Sequence, residues 1–131
     1  MAETIYVYGT LRPDEQSPDG SGTVQIPGTL YDLGWFPGII LGGENFVTCE
    51  RIEVEDLDAV DAYEGYNPKF TIESLYIRRP ILDGWIYEYN KSTEDKRLIH
   101  SGDWLKYLRC RDGQRSDDVR KQVRHSLFGS P

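Results

Sequence analysis

The residue with the clearest capacity for chemistry is Glu64, in the stretch Asp61-Ala62-Tyr63-Glu64-Gly65-Tyr66. Residues 55–63 read as a helix. Glu55, Asp56 and Asp58 sit early, where the positive end of the helix dipole favours acids. Gly65 suits the left-handed position just past the C-terminus. Helical spacing puts Leu57, Val60, Asp61 and Glu64 on one face, so two carboxylates share the side that the first two residues pull into a core. A carboxylate withdrawn from water loses solvation and its pKa rises, and Asp61 one turn earlier adds like-charge pressure in the same direction. A glutamate tuned toward neutrality can take a proton and return it. The competing reading is structural: a glutamate at a helix end bonded to a backbone amide or to an arginine, with Arg78 or Arg79 as the partner.

A second stretch is Tyr6-Val7-Tyr8-Gly9-Thr10-Leu11, followed by Arg12 and Pro13. Residues 5–8 are β-branched and aromatic, which marks a strand. The strand stops at Gly9, where a glycine lets the backbone bend sharply and lets a ligand approach. Consecutive N–H groups in such a turn can converge on an anion or a developing oxyanion. The plain alternative is an ordinary first strand and its turn.

The elements that must position these residues are short. Residues 12–23, rich in Pro, Gly, Ser and Asp, read as a loop. Strands are expected near 24–33 with an interruption at Pro27-Gly28, and near 39–41, 46–54, 70–77, 84–90 and 98–100, with an aromatic loop at Gly34-Trp35-Phe36-Pro37-Gly38 and an ending at Gly42-Gly43. Ser101-Gly102-Asp103 followed by Trp104 reads as a capped helix start. A further helix is expected over 116–127, with Val119, Val123 and Leu127 as its apolar stripe. Many short strands, a mid-chain helix and a helical end make an α+β domain around a small curved or barrel-like sheet.

Composition narrows the function classes. A chain of 131 residues suits one domain with a real core. A net charge of -7 argues against a nucleic-acid binder, and no apolar run approaches the length of a membrane span. The first residues carry no basic patch or apolar h-region, which with two isolated cysteines gives an expected cytoplasmic location. Cys49 and Cys110 fit two thiols in a reducing compartment, with a single disulfide as the alternative. Two histidines and two scattered cysteines lack the close spacing of a zinc site, so no metal is expected. Charge is uneven: residues 109–131 hold six Lys/Arg against three Asp, the remainder nine against nineteen acids. The chain therefore divides into a domain over 1–108 and a basic, partly helical extension over 109–131.

Taken in order, Tyr8-Gly9-Thr10-Leu11, Pro27-Gly28-Thr29-Leu30-Tyr31-Asp32-Leu33-Gly34, Asp61-x-Tyr63-Glu64-Gly65-Tyr66 and Leu75-Tyr76-x-Arg78 form a series that resembles the γ-glutamylcyclotransferase-like family. That family includes AIG2-like and γ-glutamylamine cyclotransferase proteins. The resemblance covers about residues 4 to 108 and takes in Trp85-x-Tyr87-x-Tyr89 and Ile99-x-Ser101-Gly102-Asp103-Trp104. It implies a small mixed β-barrel with packed helices, and Glu64 as the catalytic acid/base. It implies that Tyr8, Gly9, Thr10 and Leu11 line the pocket with backbone N–H groups toward the substrate, and it nominates Tyr66, Tyr76 and Arg78 as further substrate-binding residues. The implied reaction is intramolecular: the free α-amine of a γ-glutamyl group attacks its own side-chain amide, giving 5-oxoproline and a released amine or amino acid, with no cofactor.

Tyr6, Tyr66, Trp35 and Phe36 can wall such a pocket or belong to the core. Three places depart from the family pattern: Cys49-Glu50 where Gly-Glu is usual, Val60-Asp61 where Leu-Asp is usual, and the 12–23 loop without its histidine or asparagine. Two alternatives to an enzyme are a non-catalytic module binding a small amine, amino acid or peptide, and an interaction protein that uses its basic end. The leaving group and the oligomeric state are not specified by these residues.

Overall fold

Six strands and two helices appear among the described residues of the computed structural model, which are 2–9, 12 and 23–111. In chain order they are β1 (Glu3–Val7), β2 (Thr23–Asp32), β3 (Pro37–Val54), α1 (Leu57–Tyr63), β4 (Tyr76–Ile81), β5 (Gly84–Tyr89), β6 (Arg97–Leu98) and α2 (Trp104–Arg111). The strands form one mixed sheet in the order β4-β5-β1-β3-β2-β6. β1 runs antiparallel to the second half of β3, from Glu3 opposite Val54 to Val7 opposite Glu50. On its other side β1 lies parallel to β5, with Ile5 opposite Trp85. β1 then stops, and past its end β5 meets the first half of β3, with Ile39 opposite Glu88. Those three strands close on one another, and the sheet curls into a partial barrel. The expected α+β class with a small mixed barrel is what the chain adopts.

Alternation along β1 sorts its side chains onto two sides, as the period of a strand requires. Tyr6 and Tyr8 pack with Ile26, Leu30, Ile39, Val47, Ile86 and the buried face of α2. Ile5 and Val7 pack with Val54, Val60, Tyr76, Tyr87 and Tyr89, and Leu57 joins them from α1.

Several expectations are corrected. The two strands expected over 39–41 and 46–54 are one long β3, because β2 pairs with both halves. The glycine pair leaves its mark as a register shift: Pro27 faces Phe46 and the next residue, Gly28, faces Leu41, so residues 42–45 are looped out between them. The strand expected over 70–77 begins only at Tyr76. Ser74 prevents it from starting earlier: its hydroxyl donates to the Phe70 carbonyl and accepts the Asn67 N–H, which holds 67–74 in turns. Phe70 and Ile72 are left exposed there, Ile72 at 88%.

Arg12 is the largest correction. Expected in a loop, it is fully buried at 0% exposure. Its Nε donates to Glu50 of β3 at 2.6 Å and its Nη1 to Asp103, just before α2, at 2.8 Å. Its backbone N–H donates to the Gly9 carbonyl at 3.0 Å. One guanidinium thus ties the end of β1 to the middle of β3 and the start of α2. Both cysteines are free thiols, Cys49 buried and Cys110 exposed. The helix expected over 116–127 lies outside the described residues.

Candidate active site

α1 delivers Glu64 through a well-defined helix end. Asp56 caps the start, its Oδ1 accepting the Ala59 N–H at 3.1 Å. At the other end the Tyr66 N–H donates to the Asp61 carbonyl and the Gly65 N–H to that of Ala62, the bonding pattern of a Schellman motif. Gly65 has φ 68°, which a side chain would strain. Glu64 is therefore the last residue before the chain reverses, and its side chain is directed off the helix end into a cavity.

That cavity has a volume of about 190 Å³. It opens where β1 ends, and five separate elements or their edges wall it. Tyr6, Val7, Tyr8 and Gly9 come from β1 and the residues after it, Phe36 and Pro37 from the start of β3, Tyr63 and Glu64 from α1, Leu75 and Tyr76 from the start of β4, and Tyr87 from β5. Gly9 abuts Pro37: a Cβ on Gly9 would lie 2.7 Å from the proline Cγ. Glycine is needed here for that close approach and not for a left-handed turn, since Gly9 is not among the positive-φ glycines.

Four of the five tyrosines on the cavity wall have committed their protons elsewhere. Tyr8 donates to the Tyr87 carbonyl, Tyr76 to the Pro37 carbonyl, Tyr87 to Asp61 Oδ1 and Tyr6 to Asp83, each at 2.5 Å. None of the described residues hydrogen-bonds or ion-pairs with the Glu64 carboxyl. Burial without compensation pushes its pKa from an ordinary 4.5 up to about 8. The phenols respond in kind. Burial raises Tyr8, Tyr76 and Tyr87, and the Glu64 charge reaches all three and adds to the rise.

The like-charge pressure expected from Asp61 does not contribute, because that charge is already answered. Asp61 is buried and its Oδ2 accepts from Arg78 Nη1 at 2.7 Å. The structural alternative for Glu64 also falls away, since Arg78 is taken by Asp61 and Arg79 pairs with Glu88 at 3.0 Å.

Of the nominated site residues, Glu64, Tyr8, Gly9 and Tyr76 share the one cavity. Tyr66 and Arg78 do not line it: the Arg78 guanidinium stands 5.6 Å from the Tyr66 ring centre and 4.8 Å from that of Trp85 while it holds Asp61. Thr10 and Leu11 lie outside the described residues. Among the aromatics read as wall or core, Tyr6 and Phe36 line the cavity, and Trp35 is 70% exposed outside it. Spacing alone does not mark Tyr63 and Tyr87 as cavity residues. The signal that exists for Tyr87 is the alternation Trp85-x-Tyr87-x-Tyr89, which puts successive rings on one face of β5. Among the described residues no group of His, Cys, Asp and Glu side chains could hold a metal ion. No described helix is long and apolar enough to cross a membrane.

A curled mixed sheet, with a helix end presenting one carboxyl into a cavity that Gly9 also lines, makes a small α+β domain built around an acid in an aromatic hollow. The model of the family described as gamma-glutamyl cyclotransferase, AIG2-like, matches residues 5–106, and the chain belongs to that family. It is 30% identical over 109 residues to the gamma-glutamylcyclotransferase family protein YtfP of Escherichia coli K12, an alignment spanning 77% of this chain and 95% of the relative. It is 32% identical over 117 residues to a putative gamma-glutamylcyclotransferase of Vibrio cholerae, across 79% of this chain and 96% of that protein. The solution structure of E. coli YtfP superposes with a TM-score of 0.56 at 28% identity, covering 79% of this chain and 97% of YtfP.

Proposed function

We propose that this chain is a γ-glutamyl cyclotransferase that converts a small γ-glutamyl amine or γ-glutamyl amino acid to 5-oxoproline, with Glu64 as general acid and base. The observation that carries this reading is the Glu64 carboxyl itself, alone among committed phenols in an aromatic cavity with a pKa raised to about 8.

The substrate enters with its α-amine as an ammonium. Such a cation suits a hollow of aromatic faces, phenol oxygens with spare lone pairs and one carboxylate. Glu64 accepts a proton from the ammonium, and the freed amine attacks the γ-carbonyl. A C–N bond forms, and the carbonyl oxygen gains charge as the ring closes. Backbone N–H groups from Gly9 to Leu11 are suited to receive that charge. The tetrahedral centre collapses, the original amide C–N bond breaks, and the proton held by Glu64 goes to the leaving nitrogen. The ring nitrogen then sheds its second proton to the regenerated Glu64 carboxylate, which passes it to the released amine, so substrate ammonium becomes lactam plus product ammonium and the proton balance closes without a cofactor. Attack is already intramolecular, so the cavity's other task is to fold the glutamyl chain into attack geometry. In this reading Tyr8, Gly9 and Tyr76 meet the substrate, and Tyr66 and Arg78 act at one remove.

Incubation of the protein with a panel of γ-glutamyl amines and γ-glutamyl amino acids tests the reading, with 5-oxoproline as the measured product. Turnover of at least one member is expected. A folded protein that binds panel members and converts none of them is instead a small-molecule binding module on the same fold, and the proposal fails.

A further inference from the structure

The Asp61–Arg78 pair lies outside the cavity lining, yet it touches a residue that forms the wall. Asp61 presents its two carboxylate oxygens to different strands. Oδ2 takes Arg78 Nη1 of β4 at 2.7 Å, and Oδ1 takes the Tyr87 hydroxyl of β5 at 2.5 Å. Arg78 is held in turn by the faces of Trp85 and Tyr66. Tyr87 lines the same cavity as Glu64, and the two groups interact electrostatically. A buried hydroxyl without an acceptor is costly, so it turns to whatever acceptor remains.

We propose that Asp61 and Arg78 are positioning residues that draw the Tyr87 proton away from the cavity, and so keep the Tyr87 hydroxyl from donating to Glu64. This rests on the reading of Glu64 as the acid/base and deepens it. A carboxylate that accepts a phenol proton is stabilised in its charged form and becomes a weaker base. Asp61 captures the phenol, and Arg78 offsets the charge Asp61 would otherwise impose on Glu64 one turn away. Two other phenols on the cavity wall are already committed. Tyr8 from the end of β1 and Tyr76 from β4 donate to main-chain carbonyls, and the remaining wall residue on the Glu64 helix, Tyr63, is half-exposed.

The test is a carbon-13 NMR titration of the Glu64 side chain, assigned by its loss in Glu64→Gln, in the full chain without substrate. In Asp61→Leu/Arg78→Met the net charge is unchanged and the phenol loses its acceptor. Replacing a buried ion pair by apolar residues of similar volume commonly preserves the fold. The Glu64 midpoint should fall by at least about one pH unit, a tenfold change in acid strength. Adding Tyr87→Phe to that variant should return the midpoint to the wild-type value, a rescue that a merely structural pair would not give. An unchanged midpoint in the double variant, or a fall that persists without the Tyr87 hydroxyl, overturns the proposal. Tyr87→Phe alone gives an independent reading should the double variant not fold. It should leave the Glu64 midpoint in place, and a rise of one unit or more would mean that Tyr87 already donates to Glu64. None of these readouts uses catalysis, so absence of 5-oxoproline formation would count against the function and not against this arrangement.

Discussion

Glu64→Gln should leave a folded protein whose kcat for 5-oxoproline formation is reduced about a thousandfold, within the range that loss of a positioned acid or base typically costs. Glutamine keeps the size and some of the polarity of the side chain but can neither accept the ammonium proton nor return it to the leaving nitrogen. The substrate's aromatic contacts persist, so KM should move far less than kcat. The wild-type pH profile follows from the same group. Glu64 must be ionised to act as a base, and burial holds its pKa near 8. Activity, read as kcat/KM, should therefore rise with pH through about 8, where an ordinary exposed glutamate would already be fully ionised. A steady-state profile between pH 5 and pH 10 checks this. A rising limb centred near 4.5, or a glutamine variant within tenfold of wild type, would remove Glu64 from the chemistry.

The second expected result concerns stability, and it runs opposite to activity. The Glu64 pKa is raised in the folded state, from 4.5 to about 8. Between those values the folded chain still holds the proton and the unfolded chain has released it. The unfolded state binds fewer protons, so stability falls as pH rises through this window and the loss is complete above about 8. Below 4.5 both states are protonated and the residue is neutral in its effect. Each pH unit of the window is worth about 1.4 kcal/mol, so the total over the roughly 3.5 units is on the order of 5 kcal/mol. Glu64→Gln should therefore match wild type in urea unfolding at pH 4 and exceed it by roughly that amount at pH 9. Taking the difference between the two proteins at each pH cancels the other titrating groups. A site that lowers the stability of its own fold in this way is a familiar cost of keeping a reactive group out of water.

The parts of this arrangement that are local in the chain are legible in the amino-acid sequence. The inward face of α1, its acidic start and the glycine past its end all follow from spacing over a few turns, and Glu64 stands at that helix end on the cavity wall. The alternation of residues 5–8 gives β1, and the aromatic run at 84–90 gives β5. What spacing does not reveal is pairing across distance. Arg12 reads as a loop residue because its partners, Glu50 and Asp103, lie 38 and 91 positions away. Asp61 reads as a second negative charge on Glu64 because Arg78, 17 positions on, is assigned to no partner by pattern alone. The turns before β4 depend on the single hydroxyl of Ser74, while the apolar alternation of Phe70 and Ile72 suggests a strand. Gly9 reads as a bend in the sequence, whereas the requirement is the ring of Pro37 packed against it.

The account rests on a carboxyl that lines a cavity, is largely withdrawn from water, has no partner among the described residues and still titrates near neutrality. Carbon-13 NMR of the wild-type protein, following the Glu64 side chain from pH 3 to pH 10, measures that property directly. A midpoint near 8 is the predicted result. A midpoint at or below 4.5 would show a carboxylate that is solvated or already hydrogen-bonded, and would contradict the site described above.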